Sequence, residues 1–332
     1  MIIPRFLREG DRIGVTAPSF GVTEPTDIAR FEHAKEKLAS LGYGVVETPD
    51  VYTADETGRS APAEQRVREL YSLLEDPDVG AVISAKGGDY QFEMLLHMDW
   101  DLLERYPKWI QGYSDNTTLL FKITAEHDIA TIYGGNFGDF GMEPWHRSVS
   151  ESLEFLNGSR RMQDSFPTHE VGFSDRVTGL EPLNPTAPTV WRSSCGDTTF
   201  SGRLIGGCMD VLEWFHRKAT ASPRRFNDLY SKEGTVWYME TYEMDEARIR
   251  TMLSGMSKDG WFDGVNGFVF GRPLFYEGSD YMDVVTDVLS EYGVPMVFDA
   301  DVGHKAPRMT FINGAESRFD IRNGVCHLEY IL

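Results

Sequence analysis

Three side chains of this sequence have the types and settings that acyl-transfer chemistry requires: Ser114, Glu240 and His304. Ser114 follows the apolar pair Trp109-Ile110 and Gly112, and it precedes Thr118-Leu119-Leu120-Phe121-Lys122-Ile123, whose spacing is helical. A serine at a strand-to-helix turn presents its hydroxyl at the open edge of a sheet, beside helix N-terminal N–H groups able to hold an oxyanion. The same position suits a helix cap, by Ser114 or by Asp115, and the segment alone leaves both readings open. A serine hydroxyl is a weak nucleophile at neutral pH and needs an imidazole oriented by a carboxylate. His304 sits in Asp301-Val302-Gly303-His304-Lys305-Ala306-Pro307, a Gly/Pro-bracketed loop after a buried-type strand, where a ring can be aimed. An ordinary loop histidine fits there as well. Glu240 ends the apolar strand Val236-Trp237-Tyr238-Met239-Glu240, and a half-buried carboxylate at that point needs a partner, either catalytic or in a structural ion pair. It is the combination, in the chain order Ser, Glu, His and each at a strand end, that favours a nucleophilic site. The GxSxG elbow is only half met, because Gly112 stands two residues before Ser114 but Asn116 two residues after.

Other chemistries find less support. The eight histidines form no HExxH or other close ligand pair, and Gly134-Gly135-Asn136-Phe137-Gly138 is not a GxGxxG phosphate cradle. Cys195, Cys208 and Cys326 make no CxxC pattern, and an odd count without a disulfide framework suits a reducing cytosol. With 52 acidic against 32 basic side chains the formal charge is −20, a surface that repels nucleic acid. No stretch approaches the roughly 20 apolar residues of a membrane helix, and the N-terminus lacks a signal-peptide core. The expectation is a cytoplasmic protein without metal, nucleic-acid or membrane partners.

The elements that must position these residues alternate. Strand signals at Arg12–Ala17, Tyr43–Val46, Val79–Ser84, the run into Ser114, and Ala130–Tyr133 are separated by helical patterns at Asp27–Leu41, Ala63–Leu74, Tyr90–Leu96 and after Ser114. Such alternation predicts a parallel sheet covered on both faces, with ligands beyond the carboxyl ends of its strands, where the Ser19, Gly87-Gly88, Ser114 and Gly134-Gly135 turns would lie. A length of 332 residues favours two domains. The expected division is a nucleophile domain over 1–165, a Pro/Gly/Thr-rich linker or long loop over 166–190, and a second α/β domain over 191–332. In the second, strands at 235–240, 267–271 and 295–299 would alternate with helices near 245–257 and 280–292.

Taken together, these segments resemble the LD-carboxypeptidase family of serine peptidases, and within it the microcin C immunity branch. The resemblance is carried by Leu7-Arg8-Glu9-Gly10-Asp11-Arg12-Ile13-Gly14-Val15-Thr16-Ala17-Pro18-Ser19, Lys86-Gly87-Gly88, Pro107-Lys108 through Gly112-Tyr113-Ser114-Asp115, Gly202-Arg203-Leu204-Ile205-Gly206-Gly207, Met239-Glu240-Thr241, and Gly303-His304 with Pro307. It implies a Rossmann-like first domain, a second α/β domain, and a Ser114–Glu240–His304 triad at the interface of the two. It further implies an oxyanion hole from the backbone of Asp115 and of Gly87 or Gly88, no cofactor, and a homodimer. Two substrate classes follow: aminoacyl amides of nucleotide-like groups, and cell-wall tetrapeptides ending in D-alanine. The long 166–200 segment favours the first class by placing Trp191 where a tryptophan would stack on a base, although a core tryptophan fits the same position. Cys208 replaces the family's usual Asn, no basic residue follows Glu240, and Glu243 is a rival carboxylate. The reading from another class is a catalytically idle ligand-binding relative.

Overall fold

The structure is a computed structural model and describes residues 1–173 and 176–332. The short apolar runs of the first half become five parallel strands: β1 (Arg12–Thr16), β2 (Gly44–Glu47), β3 (Val79–Ser84), β4 (Trp109–Gly112) and β5 (Thr131–Tyr133). They pair in the order β2-β1-β3-β4-β5. Between and after them run α1 (Pro25–Ser40), α2 (Ala63–Glu75), α3 (Trp100–Arg105), α4 (Thr117–His127) and α5 (Arg147–Leu156). Every residue of β3, β4 and β5 is buried, as a parallel sheet covered on both faces demands.

The remaining strands are β6 (Met162–Asp164), β7 (Thr168–His169), β8 (Ala187–Pro188), β9 (Arg192–Ser193), β10 (Thr198–Cys208), β11 (Thr235–Glu240), β12 (Val265–Gly271), β13 (Met296–Ala300), β14 (Phe311–Asn313), β15 (Glu316–Arg322) and β16 (Val325–Ile331). Eight of them form a second sheet, in the order β6-β16-β15-β10-β11-β12-β13-β9. Its central strands β10 to β13 are parallel. They are joined through α6 (Met209–Lys218), α7 (Arg224–Leu229), α8 (Glu246–Lys258) and α9 (Tyr281–Leu289). This is the mixed α/β architecture that the alternation predicts. Among the described residues of the 166–190 segment the only ladder is the two-residue β7–β8 pairing, and the expected helix at Tyr90–Leu96 is a 3₁₀ helix over Gln91–Leu96.

Two features position the site. Strand β14 leaves the second half of the chain and adds antiparallel to β5, with Phe311 opposite Tyr133 and Ile312 opposite Ile132. Helix α4 is buried along most of its length, threonines included, and it packs into both cores. Leu119, Leu120 and Ile123 join the core that spans the first sheet, while Phe121 and Ala125 enter the core under the second. Among the described residues no helix is long and apolar enough to cross a membrane.

Candidate active site

Strand β4 delivers Ser114 through a tight turn. Gly112 is required there, since a Cβ would come within 2.8 Å of the Asn116 side chain. Tyr113 is extended, and Ser114 then takes φ 65°, the left-handed region that a non-glycine residue enters at a cost of about 1–3 kcal/mol. The capping alternative is not what its side chain does. No side-chain cap serves either the 3₁₀ turn at 114–116 or α4. Instead Ser114 Oγ lies 3.0 Å from His304 Nε2.

His304 sits beyond β13, and its Nδ1 is 2.8 Å from Glu240 Oε2 at the end of β11. Because a carboxylate only accepts, that bond places the proton on Nδ1 and leaves Nε2 free to accept from the Ser114 hydroxyl. Gly303 makes the approach possible: its φ is 102°, and a Cβ on it would stand 2.5 Å from Glu240 Oε2. His304 is 6% exposed and Glu240 fully buried. Burial pushes the Glu240 carboxyl up, but the charge of His304 and the hydrogen bonds from His304 and Tyr133 outweigh it and hold the group below its ordinary range. Glu243 lines the same cleft but is exposed, and the imidazole pairs with Glu240 rather than with it.

Sequence reasoning missed Tyr133. Its hydroxyl donates to Glu240 Oε1 at 2.5 Å and accepts the Ser114 backbone N–H at 3.1 Å. One buried phenol thus ties the carboxylate to the nucleophile's own backbone. The signal available was a tyrosine ending a short buried strand just before Gly134-Gly135. The residues after Ser114 are held as firmly. The Asp115 carboxylate accepts from the Ser19 hydroxyl at 2.5 Å and the Gln91 N–H at 2.9 Å. Burial lifts that carboxyl to about 6, with those bonds opposing the rise. Asn116 accepts from Gln91 Nε2 at 3.0 Å.

Gly87 lies against the nucleophile: the point where its Cβ would stand is 3.3 Å from Ser114 Oγ and 3.8 Å from the Asp115 nitrogen. Gly88 adjoins Ser19 and Phe20 on the same rim. These residues open onto a cleft of about 570 Å³ between the two sheets, reached also by Cys208 and Tyr242. The Cys208 thiol is pushed well above its usual range by burial, Glu240 and Asp210, so it stays neutral. Among the described residues no group of three or more His, Cys, Asp or Glu side chains is arranged to hold a metal ion.

Trp191 is placed differently from the expectation. It is 1% exposed, its Nε1–H donates to the buried Asp301 carboxylate at 3.2 Å, and it does not line the cleft. A ring enclosed on both faces offers no surface on which a base can stack, so its role here is in the core.

Comparison with known proteins agrees with this architecture. Residues 13–134 match the LD-carboxypeptidase N-terminal domain, and residues 201–319 match the LD-carboxypeptidase C-terminal domain. A Vibrio cholerae protein provisionally described as a carboxypeptidase is 26% identical over 99% of this chain and 98% of its own. The microcin C7 self-immunity protein MccF of Escherichia coli is 27% identical over 96% of this chain and 92% of its own. The solved structure of MccF in complex with glutamyl sulfamoyl guanosine superposes with a TM-score of 0.82 at 22% identity, covering 99% of this chain and 98% of that one.

Proposed function

The chain belongs to the LD-carboxypeptidase family of serine peptidases, and from that premise we propose that Ser114, His304 and Glu240 hydrolyse an amide that joins an aminoacyl group to a nucleotide-like moiety. The observation that carries the reading is the unbroken line of contacts at 3.0 and 2.8 Å through three side chains from three separate strand ends. Ser114 Oγ attacks the carbonyl carbon while His304 Nε2 takes its proton. The backbone N–H groups of Asp115 and of Gly87 or Gly88 receive the oxyanion. The C–N bond then breaks as the imidazolium protonates the leaving nitrogen, and water deprotonated by His304 releases the acyl group. Glu240 stabilises the imidazolium, and its own low pKa keeps it ionised for that task. The structure of MccF bound to glutamyl sulfamoyl guanosine supports this substrate class. Removal of D-alanine from cell-wall tetrapeptides is the second reading, supported by the carboxypeptidase description of the Vibrio relative. A homodimer without cofactor belongs to the same proposal.

The test is a parallel assay of an aminoacyl sulfamoyl adenosine and a muropeptide tetrapeptide, with the unmodified protein and with Ser114→Ala. Turnover of the first compound, lost by about 10³-fold or more in Ser114→Ala while binding persists, is the expected result. Exclusive cleavage of the tetrapeptide selects the second reading. A Ser114→Ala protein of undiminished rate would remove the nucleophile assignment altogether.

A further inference from the structure

The cleft has an apolar wall that the catalytic residues do not explain. Helix α6 buries Met209, Leu212 and Phe215 in the second core, which leaves Val211 and Trp214, three residues apart and so on one face, along the cleft. From the opposite side Phe92, 37% exposed, meets Trp214 with ring centroids 5.1 Å apart and planes tilted by 40°. Phe92 is exposed and Trp214 half-buried, and both line the cleft that Ser114 also lines.

Both rings are tied to the nucleophile segment by short chains of buried contacts. Phe92 follows Gln91, which is 1% exposed. Gln91 donates its N–H to Asp115 at 2.9 Å and its amide to Asn116 at 3.0 Å, and accepts the Leu119 N–H at 3.3 Å. On the other side α6 follows directly on Cys208, whose N–H donates to Thr117 Oγ1 at 2.9 Å. The wall is therefore fixed relative to Ser114 through the residues that immediately follow it. In a two-step acyl transfer the acyl half stays bonded to the serine while the leaving group departs. A wall anchored on the nucleophile segment keeps its register with the acyl half through both steps.

We propose that Trp214 and Phe92 form the specificity subsite for the side chain next to the scissile carbonyl, and that this subsite takes an aromatic acyl residue. The inference rests on the amide-hydrolase reading above and deepens it. Two aromatic rings that line the cleft can make edge-to-face and offset-stacked contacts with a third, beyond the area it buries.

The experiment compares phenylalanyl and alanyl sulfamoyl adenosine, which differ in the acyl side chain alone. The expected kcat/KM ratio favours the phenylalanyl compound by about 10-fold or more. It collapses toward one in Trp214→Ala, falls partway in Phe92→Ala, and is largely restored in Trp214→Phe. A ratio near one in the unmodified protein overturns the proposal, as does a Trp214→Ala variant that slows both compounds equally. Calorimetric titration of Ser114→Ala with the same pair separates this from the catalytic reading. If neither compound is cleaved, yet the phenylalanyl one binds more tightly and loses that advantage in Ser114→Ala/Trp214→Ala, the subsite stands and the hydrolase reading falls. Cleavage of both without preference has the reverse meaning, and failure to bind either removes the subsite.

Discussion

Replacing Tyr133 with Phe removes one oxygen atom and takes one hydrogen-bond partner each from the buried Glu240 carboxylate and the half-buried Ser114 N–H. Glu240 Oε1 loses its 2.5 Å donor, and the Ser114 N–H loses its 3.1 Å acceptor. A hydrogen bond to an ionised group contributes about 1.5–3 kcal/mol, and an orphaned buried N–H costs about 1–3 kcal/mol. Much of the first term falls on the orientation of the carboxylate that holds His304, so kcat/KM should drop by about 10- to 100-fold. The half-buried Ser114 N–H, without its acceptor, adds a stability loss of about 1 kcal/mol, visible as a lower thermal midpoint. The pH dependence has a definite sign. Glu240 titrates below its ordinary range in the folded protein, so its contribution to stability is present above the unfolded carboxyl value and is lost as pH falls through the folded one. The tyrosine bond is one of the influences lowering that value, so Tyr133→Phe raises it and the loss of stability on acidification sets in at higher pH. The assay is kcat/KM from pH 4 to 8 for both proteins, with thermal unfolding alongside. A variant with near-normal kcat/KM and an unmoved onset of acid destabilisation would refute the view that Tyr133 orients the carboxylate.

Two further perturbations probe the neighbourhood. Asp115→Asn keeps an oxygen acceptor for Ser19 and Gln91 but cannot ionise. Because the folded carboxyl sits at about 6, above its unfolded value, its stabilising effect is complete below pH ~4 and is lost as pH rises through 6. The stability difference between the two proteins should therefore change by up to about 3 kcal/mol between pH 4 and 7, read from denaturant midpoints; a pH-independent difference would show that burial does not strain this group. Trp191→Phe removes the 3.2 Å bond to Asp301, which keeps its 2.9 Å bond from the Phe166 N–H and its 2.6 Å pair with Arg272. It should lower stability by about 1–3 kcal/mol with KM unchanged, whereas a raised KM at full stability would put the ring back at the substrate.

What the sequence made legible, and what it hid, follows from the range of the interactions. The strand-helix alternation of the first half and the strands ending at Ser114 and Glu240 depend on local periodicity and turn residues, which a single sequence displays. The setting of Ser114 is legible only as two alternatives, because a cap and a nucleophile use the same residue types, and the contact of its hydroxyl with His304 lies 190 residues away in the chain, beyond the reach of local patterning. Trp191 was ambiguous for a related reason. Its burial depends on Asp301, 110 residues away, which accepts its indole N–H. Tyr133 reads locally as one more apolar strand residue, and only the arrival of Glu240 from β11 gives its hydroxyl a task. The C-terminal hairpin alternates buried and exposed residues over β15 and β16 as a half-buried pair should. That pattern was present in the sequence, but the crossing of β14 to the first sheet had no local signature.

That crossing bears on how the site keeps its geometry. Ser114 belongs to the first sheet, and Glu240 and His304 to the second, so any rotation of one against the other would separate hydroxyl from imidazole. Strand β14, which follows the His304 loop by a few residues, is hydrogen-bonded to β5, the strand that ends in Tyr133. Helix α4, which begins three residues after Ser114, inserts Phe121 among Phe215, Trp237 and Trp261 of the second core, with centroids 5.6 to 6.0 Å apart. The larger core itself contains Leu204, Tyr238 and Phe319 of the second sheet beside Val15, Val82 and Ile132 of the first. Close-packed interiors resist small displacements, and separating the sheets would expose these rings to water at roughly 25 cal/mol per Å². Ser114, His304 and Glu240 are thus registered by apolar packing on both sides of α4, and the polar contacts at 3.0 and 2.8 Å are made within a frame that is already fixed. This is the preorganisation that a nucleophilic site needs, because its catalytic groups do not have to be reoriented when charge develops on the substrate.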